Sequence, residues 1–438
     1  MSSAVSRVAA YLVLVIAPVA ASAVWRPREA DPLLTELGTR FALLGLAILA
    51  MQFVLSARIR WVERPFGLDS VYRFHKSMAV FAVLLLISHP ALVAAGDNKW
   101  GLLTTFQQSW HVLLGKGGLA LLIVLAIVSL FRLALRLEFE KWRKLHNVVA
   151  AAVLGIGSTH GWIMSGDPER LPTRVLLFAL VALGAAAYIN HRVLVPAAAR
   201  RNAYRVVGVK LETHNVWTLQ LAPPAGRERF DYLPGQFHFL TLRREPGLPV
   251  EEHPFTISSS PIERGLIAST IKESGDFTST IGRTKPGDLA AVEGPFGRFS
   301  HVVHPGESRF AFIAGGIGIT PLMSMLRHMR DTGSDADVHL IYANRTEDDI
   351  VFREELAAIE SGGSPRLEVT HVLDSPNQTW QGETGFVDRD KIERLLGDDL
   401  LSRACYVCGP PPMMGSVIRA LRQLGVPVCQ IHYERFSL

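Results

Sequence analysis

Four histidines in the first half of the chain have the spacing of paired metal ligands. His75 and His89 are fourteen residues apart in one apolar stretch, and His146 and His160 repeat that interval in another. Fourteen α-helical residues turn through about 1400°, within about 40° of four full turns, and rise about 21 Å. Each pair therefore lies on one helix face, with one histidine towards each side of a hydrocarbon layer roughly 30 Å thick.

Two such helices side by side would present two opposed pairs of imidazoles. Imidazole nitrogens on both axial sides of the iron are the ligand set of a hexacoordinate haem. The alternative is that the four histidines only pack in, or line, a bundle of helices. Because ionisable side chains inside a membrane are costly and usually functional, we expect two b-type haems with these four histidines as metal ligands.

Membrane-spanning helices must position these histidines, and the sequence supplies six candidates. The chain has 438 residues, of which 49% are hydrophobic, and a mean hydropathy of +0.23, which is high for a soluble protein. The apolar excess lies in six stretches that are long enough to span a membrane, at 8–24, 37–57, 77–95, 117–135, 148–164 and 174–195. The first stretch also resembles a cleavable signal peptide, but we favour a retained helix.

Lysine and arginine near the ends of these stretches predict the orientation. Fourteen lie on the side that carries the N-terminus and the long C-terminal half, and seven lie on the other side. Since cytoplasmic loops carry the excess of positive charge, we expect both of those parts in the cytoplasm. The net charge of +5 is then explained mainly by the basic residues that set the membrane orientation, and the sequence contains no nucleic-acid-binding motif beside it. The three cysteines all lie in this half, which favours free thiols.

Residues 204–300 read as short strands separated by turns, at 204–211, 216–221, 236–242, 255–258 and 265–271. This pattern predicts a small antiparallel β-barrel. One segment sets an aromatic ring beside hydroxyls, namely His253, Pro254, Phe255, Thr256, Ile257 and Ser258. Such a set suits a flavin, whose ring stacks and whose N5 edge accepts or donates a hydrogen bond. An ordinary strand is the alternative.

A glycine turn follows the last of these strands. Its residues are Lys272, Glu273, Ser274, Gly275, Asp276, Phe277 and Thr278. Free N–H groups and a hydroxyl at a short helix start can cradle a pyrophosphate. Taken alone, the segment is only a capped turn.

From about residue 310 strands and helices alternate, which predicts an α/β domain with a parallel sheet. A buried-type strand at 310–314 precedes an amphipathic helix at 322–329. Between them lie Gly315, Gly316, Ile317, Gly318, Ile319, Thr320 and Pro321. Glycines allow a dinucleotide diphosphate to approach a helix N-terminus, although the spacing is not G-x-G-x-x-G.

Three later features complete the candidate nucleotide site. The strand 338–342 ends at Asn344 and Arg345, where an adenosine ribose or its 2′-phosphate would fall, unless Arg345 is a surface charge. The strand 404–407 runs into a tight turn of Cys408, Gly409 and Pro410. Near the end of the chain, Glu434 and Phe436 either cover a flavin face or form an ordinary tail.

In combination, these motifs resemble the ferric reductase/NADPH oxidase superfamily. The resemblance covers about residues 5–438 and includes the two H-x13-H helices, the W-R-K-L-H run at 142–146, and the HPFTISS, GDFT, GGIGITP, CGPPPM and E-x-F motifs. It implies a ferric-reductase-like transmembrane di-haem domain at 1–197, an FAD-binding β-barrel domain at 198–303 and an NAD(P)-binding α/β domain at 304–438. The compact length is typical of stand-alone bacterial members, which implies a multi-pass protein of the inner membrane.

The resemblance also implies roles for individual residues. His75 would pair with His146 at the cytoplasmic haem, and His89 with His160 at the outer haem. His253, with Pro254 next to it, would contact the FAD diphosphate, Phe255 the isoalloxazine and Thr256 the region near N5, with Ser258 close by. Lys272 and the turn of Gly275, Asp276, Phe277 and Thr278 would hold the rest of FAD. Gly315, Gly316, Gly318, Ile319, Thr320 and Pro321 would cradle the nicotinamide dinucleotide, and Cys408, Gly409, Pro410, Glu434 and Phe436 would surround the nicotinamide.

Some positions depart from the family pattern or leave a role open. Val93 stands where animal oxidases have a further histidine that assists with dioxygen. Arg40 matches an arginine near the outer haem, or is an interfacial charge. Arg73 and Arg143 would neutralise haem propionates, or simply reflect the positive-inside rule.

The implied function is transmembrane electron transfer by an NAD(P)H-dependent flavocytochrome b oxidoreductase. Electrons from cytoplasmic NAD(P)H would pass through FAD and two haems to dioxygen, giving superoxide, or to a ferric chelate outside the membrane. An electron-feeding subunit that reduces a quinone or a periplasmic partner protein is the alternative, and a haem-bearing redox sensor without turnover is a further one.

Overall fold

The computed structural model describes residues 2–25, 31–164 and 170–434. The chain divides into two compact units, residues 1–194 and 195–438. The helices of the first unit are α1 (Ser2–Val24), α2 (Leu33–Ser56), α3 (Arg60–Glu63), α4 (Leu68–Gly96), α5 (Gly101–Thr104), α6 (Trp110–Leu130), α7 (Phe139–Met164) and α8 (Leu171–Ile189). A π-helical turn, Asn190–Leu194, ends this unit, and α9 (Val195–Arg201) begins the second.

Six helices among the described residues are long and apolar enough to cross a membrane, as the sequence predicts. They are α1, α2, α4, α6, α7 and the continuous helical stretch Leu171–Arg201. The helices α4 and α7 each begin nine residues before the predicted spans. The first nine residues of each helix include basic side chains, Arg73 and Lys76 in α4 and Lys141, Arg143 and Lys144 in α7. Hydropathy excludes such residues from a span although the backbone hydrogen bonds continue.

The helix α2 is the centre of the first unit. Nearly half of its residues are buried, and its neighbours are α1, α4, α7 and α8. Close packing depends on glycine at several points. For example, a Cβ on Gly45 would lie 2.7 Å from the Leu86 side chain, and one on Gly184 of α8 would lie 2.6 Å from the Ala50 carbonyl oxygen. Small residues at such helix contacts are typical of membrane bundles.

The second unit begins with an antiparallel sheet. Its strands are β1 (Tyr204–Thr213), β2 (Val216–Ala222), β3 (Phe237–Arg243), β4 (Glu252–Thr256), β5 (Ile267–Lys272) and β6 (Leu289–Phe296), in the order β4-β3-β6-β1-β2-β5. The expected antiparallel domain is confirmed, but no ladder joins the edge strands β4 and β5 into a closed barrel. Hydrogen bonds of the residues that follow β4 bridge that gap, among them one of 2.8 Å from the Ser258 N–H to the Ala268 carbonyl. Pro254, which lacks an N–H, lies in an edge strand, where prolines are tolerated.

A parallel sheet of six strands follows, as predicted. Its strands are β7 (Arg309–Gly315), β8 (Asp337–Asn344), β9 (Arg366–Leu373), β10 (Glu383–Thr384), β11 (Ala404–Cys408) and β12 (Ile431–Tyr433), in the order β10-β9-β8-β7-β11-β12. Its helices are α10 (Ile319–Asp331), α11 (Arg353–Gly362), α12 (Arg389–Leu396) and α13 (Pro411–Gln423).

Both faces of this sheet are buried. Phe310, Phe312 and Ala314 of β7 pack with α10 and α11, whereas Ala311 and Ile313 pack with α12 and α13. A strand that is buried on both sides reads as a continuous apolar run, which is how the sequence identified β7. The carboxyl ends of β7, β8 and β11 consequently meet at one edge, where the candidate nucleotide residues lie.

Candidate functional site

The four candidate haem ligands lie on α4 and α7, two on each helix. His75 and His146 are close enough for their imidazoles to interact electrostatically, and so are His89 and His160. The structure thus brings the four residues together as two pairs, each with one member from each helix. We call them the 75/146 pair and the 89/160 pair.

The helices α4 and α7 are not packed tightly against each other. The main partners of α4 are α2 and α6, and the main partner of α7 is α6. All four imidazoles are half-buried. The faces of α4 and α7 that carry the histidines therefore do not close on one another.

In the 89/160 pair, backbone carbonyls orient the rings. Nδ1 of His89 lies 3.0 Å from the carbonyl oxygen of Gly38 on α2, and Nδ1 of His160 lies 2.9 Å from that of His111 on α6. A Cβ on Gly115 of α6 would lie 2.7 Å from Cε1 and 2.8 Å from Nδ1 of His160. Glycine at this position therefore allows the His160 ring to lie directly against α6.

In the 75/146 pair, the contacts are looser. Nδ1 of His146 lies 3.1 Å from the Ser129 hydroxyl oxygen on α6. Nδ1 of His75 is buried next to the Gln52 carbonyl, but without the geometry of a hydrogen bond. The Trp142 ring lies one turn before His146, with 5.2 Å between ring centroids.

The arrangement of the nitrogen atoms fits haem ligation. Within the described residues, the Nε2 atoms of the four histidines make no hydrogen bond, and none of them is sealed among protein atoms. Histidines that ligate a metal commonly donate the other ring N–H to a carbonyl or hydroxyl, which fixes the ring and its tautomer. The Nδ1 atoms of His89, His146 and His160 meet this requirement. Nδ1 of His75 only faces the Gln52 carbonyl, and all four histidines leave Nε2 open.

The three arginines considered near the haems are engaged by carboxylates on their own helices. The ion pairs are Arg40–Glu36 at 2.5 Å, Arg73–Asp69 at 2.8 Å and Arg143–Glu140 at 2.7 Å. Val93 lies against α2, where a Cβ on Gly38 would be 3.1 Å from its Cγ2.

In the antiparallel sheet, three of the predicted FAD residues form layered rings. His253 and Phe277 are stacked with 4.3 Å between centroids, and Phe255 lies nearly parallel to Phe277 at 6.4 Å. Phe277 is buried in the core of the sheet, so its ring supports the other two. His253 and Phe255 are half-buried and remain available to a flat aromatic group.

The hydroxyls that follow Phe255 are buried. Thr256 lies opposite Phe237 of β3, and the Ser258 side chain is fully buried, 2.9 Å from the Thr270 hydroxyl and 3.2 Å from the Ala268 carbonyl. The Ser258 hydroxyl is thus used within the protein. Its backbone is used as well, because the N–H donates to the Ala268 carbonyl and the carbonyl accepts from Arg327.

The predicted pyrophosphate turn leads into a short 3-10 helix, Thr278–Arg283. The Thr278 hydroxyl accepts a hydrogen bond of 2.8 Å from the Ser274 N–H, which closes the turn. Gly275 and Asp276 are exposed, and a Cβ on Gly275 would meet nothing within 4 Å. The Lys272 side chain, at the end of β5, is half-buried.

Two glycine-rich turns pack against each other at the carboxyl ends of β7 and β11. They bring together Gly315, Gly318, Cys408, Gly409 and Pro410. A Cβ on Gly315 would lie 2.9 Å from Pro410 Cδ, and one on Gly318 would lie 2.6 Å from the Cys408 carbonyl carbon. Gly316, with φ of +52°, instead faces open space. Ile319, Thr320 and Pro321 are buried in the first turn of α10. Most of the motif therefore shapes the turn, and Gly316 leaves room beside it.

At the end of β8, Asn344 and Arg345 differ in exposure. The Asn344 amide is buried beside the Tyr342 hydroxyl, and neither of its polar atoms completes a hydrogen bond of good geometry. The Arg345 side chain is exposed. The Asn344 amide is therefore closed off among protein atoms, whereas the Arg345 guanidinium is accessible to a phosphate.

The residues near the end of the chain meet the Cys408 turn. A Cβ on Gly297, where φ is +91°, would lie 2.8 Å from both carboxylate oxygens of Glu434 and 3.0 Å from Phe237. Burial raises the pKa of the Cys408 thiol, and the nearby Glu434 carboxylate raises it further, so the group is a neutral thiol. The structure thus brings Cys408 and Glu434 together, whereas Phe436 lies outside the described residues.

Sequence reasoning missed two residues that shape this region, Gly297 and Arg327. The run Gly-Pro-Phe-Gly at 294–297 signals a turn, but nothing in it shows that a carboxylate will lie on the last glycine.

Arg327, the second missed residue, lies on α10. It donates to the Ser258 carbonyl at 2.6 Å and to Glu355 at 2.6 and 2.9 Å. Burial raises the pKa of Glu355, but hydrogen bonds from Arg327 and Arg330 lower it below its ordinary value overall. This ionised network joins the two sheets of the second unit.

Three protein-family models match successive parts of the chain. A ferric reductase like transmembrane component matches residues 41–157, an FAD-binding domain matches residues 201–286, and an oxidoreductase NAD-binding domain matches residues 312–419. Their order is the one that the sequence motifs imply.

Individual relatives match part of the chain. The stachydrine N-demethylase reductase subunit Stc4 of Rhizobium meliloti is 33% identical over 233 residues, which are 52% of this chain and 64% of that protein. NADH–cytochrome b5 reductase 1 of Arabidopsis thaliana is 32% identical over 198 residues, which are 41% of this chain and 70% of that protein. The chain therefore spans less than two thirds of the length of Stc4.

A solved structure resembles most of the chain in fold. The flavohemoglobin from Malassezia yamatoensis, determined with bound FAD and heme, has a TM-score of 0.50 and 17% identity. The likeness covers 92% of this chain and 96% of that chain. At this identity it shows similarity of fold alone.

Proposed function

The chain belongs to the ferric reductase/NADPH oxidase superfamily, and on this premise we propose that it carries electrons across a membrane. The donor is NAD(P)H in the cytoplasm, the carriers are FAD and two b-type haems, and the acceptor is dioxygen or a ferric chelate on the outer side. The observation that supports this most strongly is the arrangement of the four histidines, whose Nε2 atoms stay open in two pairs. The proposed location is the inner membrane of a bacterium, with the N-terminus and both nucleotide domains in the cytoplasm.

In the membrane unit, the 75/146 pair would hold the cytoplasmic haem and the 89/160 pair the outer haem, each through Nε2. When bound, haem iron would supply one-electron transfer, and the flavin would link it to the nicotinamide, because a flavin accepts two electrons as hydride and can release them one at a time. The protein contributes ring orientation, through the carbonyls and the hydroxyl that face each Nδ1, and an apolar surrounding that excludes water.

In the nucleotide unit, His253 and Phe255 would hold FAD together with Thr256, Lys272 and the turn at 275–278. The opening at Gly316 and the carboxyl end of β8 would receive the dinucleotide. Cys408 and Glu434 would border the nicotinamide, with Cys408 as a neutral thiol and the Glu434 carboxylate lying on Gly297. The proposed domain limits are 1–197, 198–303 and 304–438.

The acceptor class is tested by turnover of the purified full-length protein with NAD(P)H. Dioxygen, ferric citrate and a quinone are compared at equal concentrations, and superoxide is followed by dismutase-sensitive cytochrome c reduction. Turnover with dioxygen or ferric citrate is expected, whereas activity with the quinone alone would select an electron-feeding subunit. A preparation without a low-spin b-type spectrum after anaerobic reduction would refute the two-haem assignment.

The nucleotide class is tested at Arg345. If this exposed guanidinium binds a 2′-phosphate, Arg345→Ala raises the KM for NADPH and leaves the KM for NADH unchanged, because only NADPH carries that phosphate. A matched control is Arg366→Ala, which removes an arginine at the opposite, amino end of the neighbouring strand β9. Equal changes for both nucleotides would refute the role of Arg345.

A further inference from the structure

A cluster of metal-binding side chains lies in the second unit, apart from the histidines of the membrane unit. It consists of His304, Glu307 and His432, each half-buried, and one ligand atom of each lies within 4.8 Å of the others. Among the described residues, this is the single group of three or more such side chains at that spacing. None of the sequence motifs includes these residues.

The backbone brings the three side chains together from two separate elements. His304 and Glu307 flank Pro305 and Gly306 in a tight turn that is closed by a hydrogen bond of 3.0 Å from the Glu307 N–H to the His304 carbonyl. His432 lies on the edge strand β12, paired with Tyr406 of β11. The site therefore joins the loop before β7 to the last strand of the sheet.

The geometry is close to that of a coordination sphere. Nε2 of His432 lies 2.7 Å from Oε1 of Glu307, and the rings of His304 and His432 are 4.1 Å apart between centroids. Two ligands at 2.0–2.1 Å from a tetrahedral zinc ion are about 3.3 Å apart. The side chains need only small movements to admit an ion between them.

A second hydrogen bond fixes the carboxylate. The Tyr406 hydroxyl donates to Oε2 of Glu307 at 2.8 Å, and the Tyr406 ring is buried in the sheet. Oε2 is thereby held, while Oε1 is directed towards His432. Ligating carboxylates usually have such a supporting partner. Arg298, which interacts electrostatically with His304, opposes a cation here, and Glu307 offsets it.

We propose that His304, Glu307 and His432 form a site for a divalent transition-metal ion, with Zn²⁺ as the best match. Two imidazoles and one carboxylate are a known ligand set for zinc, with the fourth position left to water. The ion would tie β12 to the turn at 304–307. Since Glu434 follows β12 directly and lies on Gly297, the bound metal would also restrain the strand that leads to the nicotinamide side of the molecule.

The experiment is Zn²⁺ binding to the full-length protein, free of affinity tag and stripped with a chelator. Equilibrium dialysis with elemental analysis counts Zn²⁺ per chain, and haem iron is counted separately in the same samples. We expect one saturable Zn²⁺ per chain and a higher midpoint of thermal unfolding with Zn²⁺ present.

Variants distinguish this site from general binding. His304→Ala and Glu307→Gln should remove the saturable Zn²⁺ and the thermal shift, and Tyr406→Phe should weaken binding by about tenfold, as for a lost supporting partner. His214→Ala is the matched control, because it removes an exposed histidine of the same unit whose nearest carboxylate, on Asp349, is 3.9 Å away. FAD content and unfolding without metal report whether each variant is folded.

The absence of saturable binding by the wild-type protein would refute the proposal. So would a stoichiometry and affinity that are the same in wild type, His304→Ala and Glu307→Gln. In either case Glu307 would only accept hydrogen bonds from Tyr406 and His432.

Discussion

The two histidine pairs of the membrane unit are held in different ways. In the 89/160 pair, both Nδ1 atoms face backbone carbonyls, and the His160 ring lies against a glycine. In the 75/146 pair, a serine hydroxyl faces His146, and His75 lies near a carbonyl without completing a hydrogen bond. One pair is thus oriented by the main chain and the other in part by a side chain.

This difference has consequences for how each pair can change. A backbone carbonyl stays in place under any substitution that preserves the helix, so the orientation of the 89/160 pair is robust to side-chain changes outside its own packing. The hydroxyl of Ser129 can be deleted by one substitution.

Removing a ligand from either pair should have the largest effect. His146→Ala or His160→Ala is expected to lose one of the two proposed haems and to abolish electron delivery to an outer acceptor, because the proposed route passes through both haems. Reduction of FAD by NAD(P)H should continue. Haem is measured by the pyridine haemochrome assay and FAD reduction by absorbance.

The control for this prediction is His111→Ala. It deletes an imidazole at the start of α6 but keeps the carbonyl that faces His160, so full haem content is expected. Retention of both haems after a ligand substitution would contradict the comparison, because the pair that was changed would then not be a haem site.

A methyl group added at Gly115 should disturb the 89/160 pair and leave the 75/146 pair unchanged. In Gly115→Ala the new Cβ would lie 2.7–3.0 Å from three atoms of the His160 ring, so the ring must move away from the His111 carbonyl. Overpacking of this kind typically costs about 1–3 kcal/mol. We expect loss or altered spectroscopy of one haem only, detected by low-temperature optical spectra and by redox titration.

Gly117→Ala on the same helix is the matched control, since a Cβ there meets nothing within 4 Å. It should behave as wild type. An equal disturbance of both haems in Gly115→Ala, or an equal effect in Gly117→Ala, would contradict the view that Gly115 serves the 89/160 pair alone.

Much of the fold could be predicted from the sequence because its signals are periodic. Long apolar runs identified six spans, and the alternation of strands and helices after residue 310 identified the parallel sheet. The spacing of the histidines placed two on each of two helices. Such patterns depend on residues close together in the chain.

The rest depended on contacts between distant residues. That the Gly38 carbonyl faces His89, or that a carboxylate lies on Gly297, follows from packing that no local pattern encodes. The strand β6 was missed because Gly294 and Pro295 interrupt its alternation. The cluster of His304, Glu307 and His432 escaped notice for the same reason, since its parts are more than a hundred residues apart.

The smallest effect is expected for Ser129→Ala, which tests whether the serine hydroxyl influences the 75/146 pair. The hydroxyl oxygen lies 3.1 Å from Nδ1 of His146. With Nε2 bound to iron, as proposed, Nδ1 would carry the proton and donate to this hydroxyl, which would make the imidazole a stronger ligand and favour the oxidised state. Its loss should raise the midpoint potential of one haem by roughly tens of millivolts, given about 59 mV per tenfold change for one electron. The other haem should keep its potential.

Ser88→Ala is the control. Ser88 lies next to His89, but its hydroxyl bonds only to the Leu84 carbonyl of its own helix, at 2.9 Å. If Ser129→Ala leaves both potentials unchanged, the hydroxyl does not tune the 75/146 pair, and the two pairs are less different than their contacts suggest.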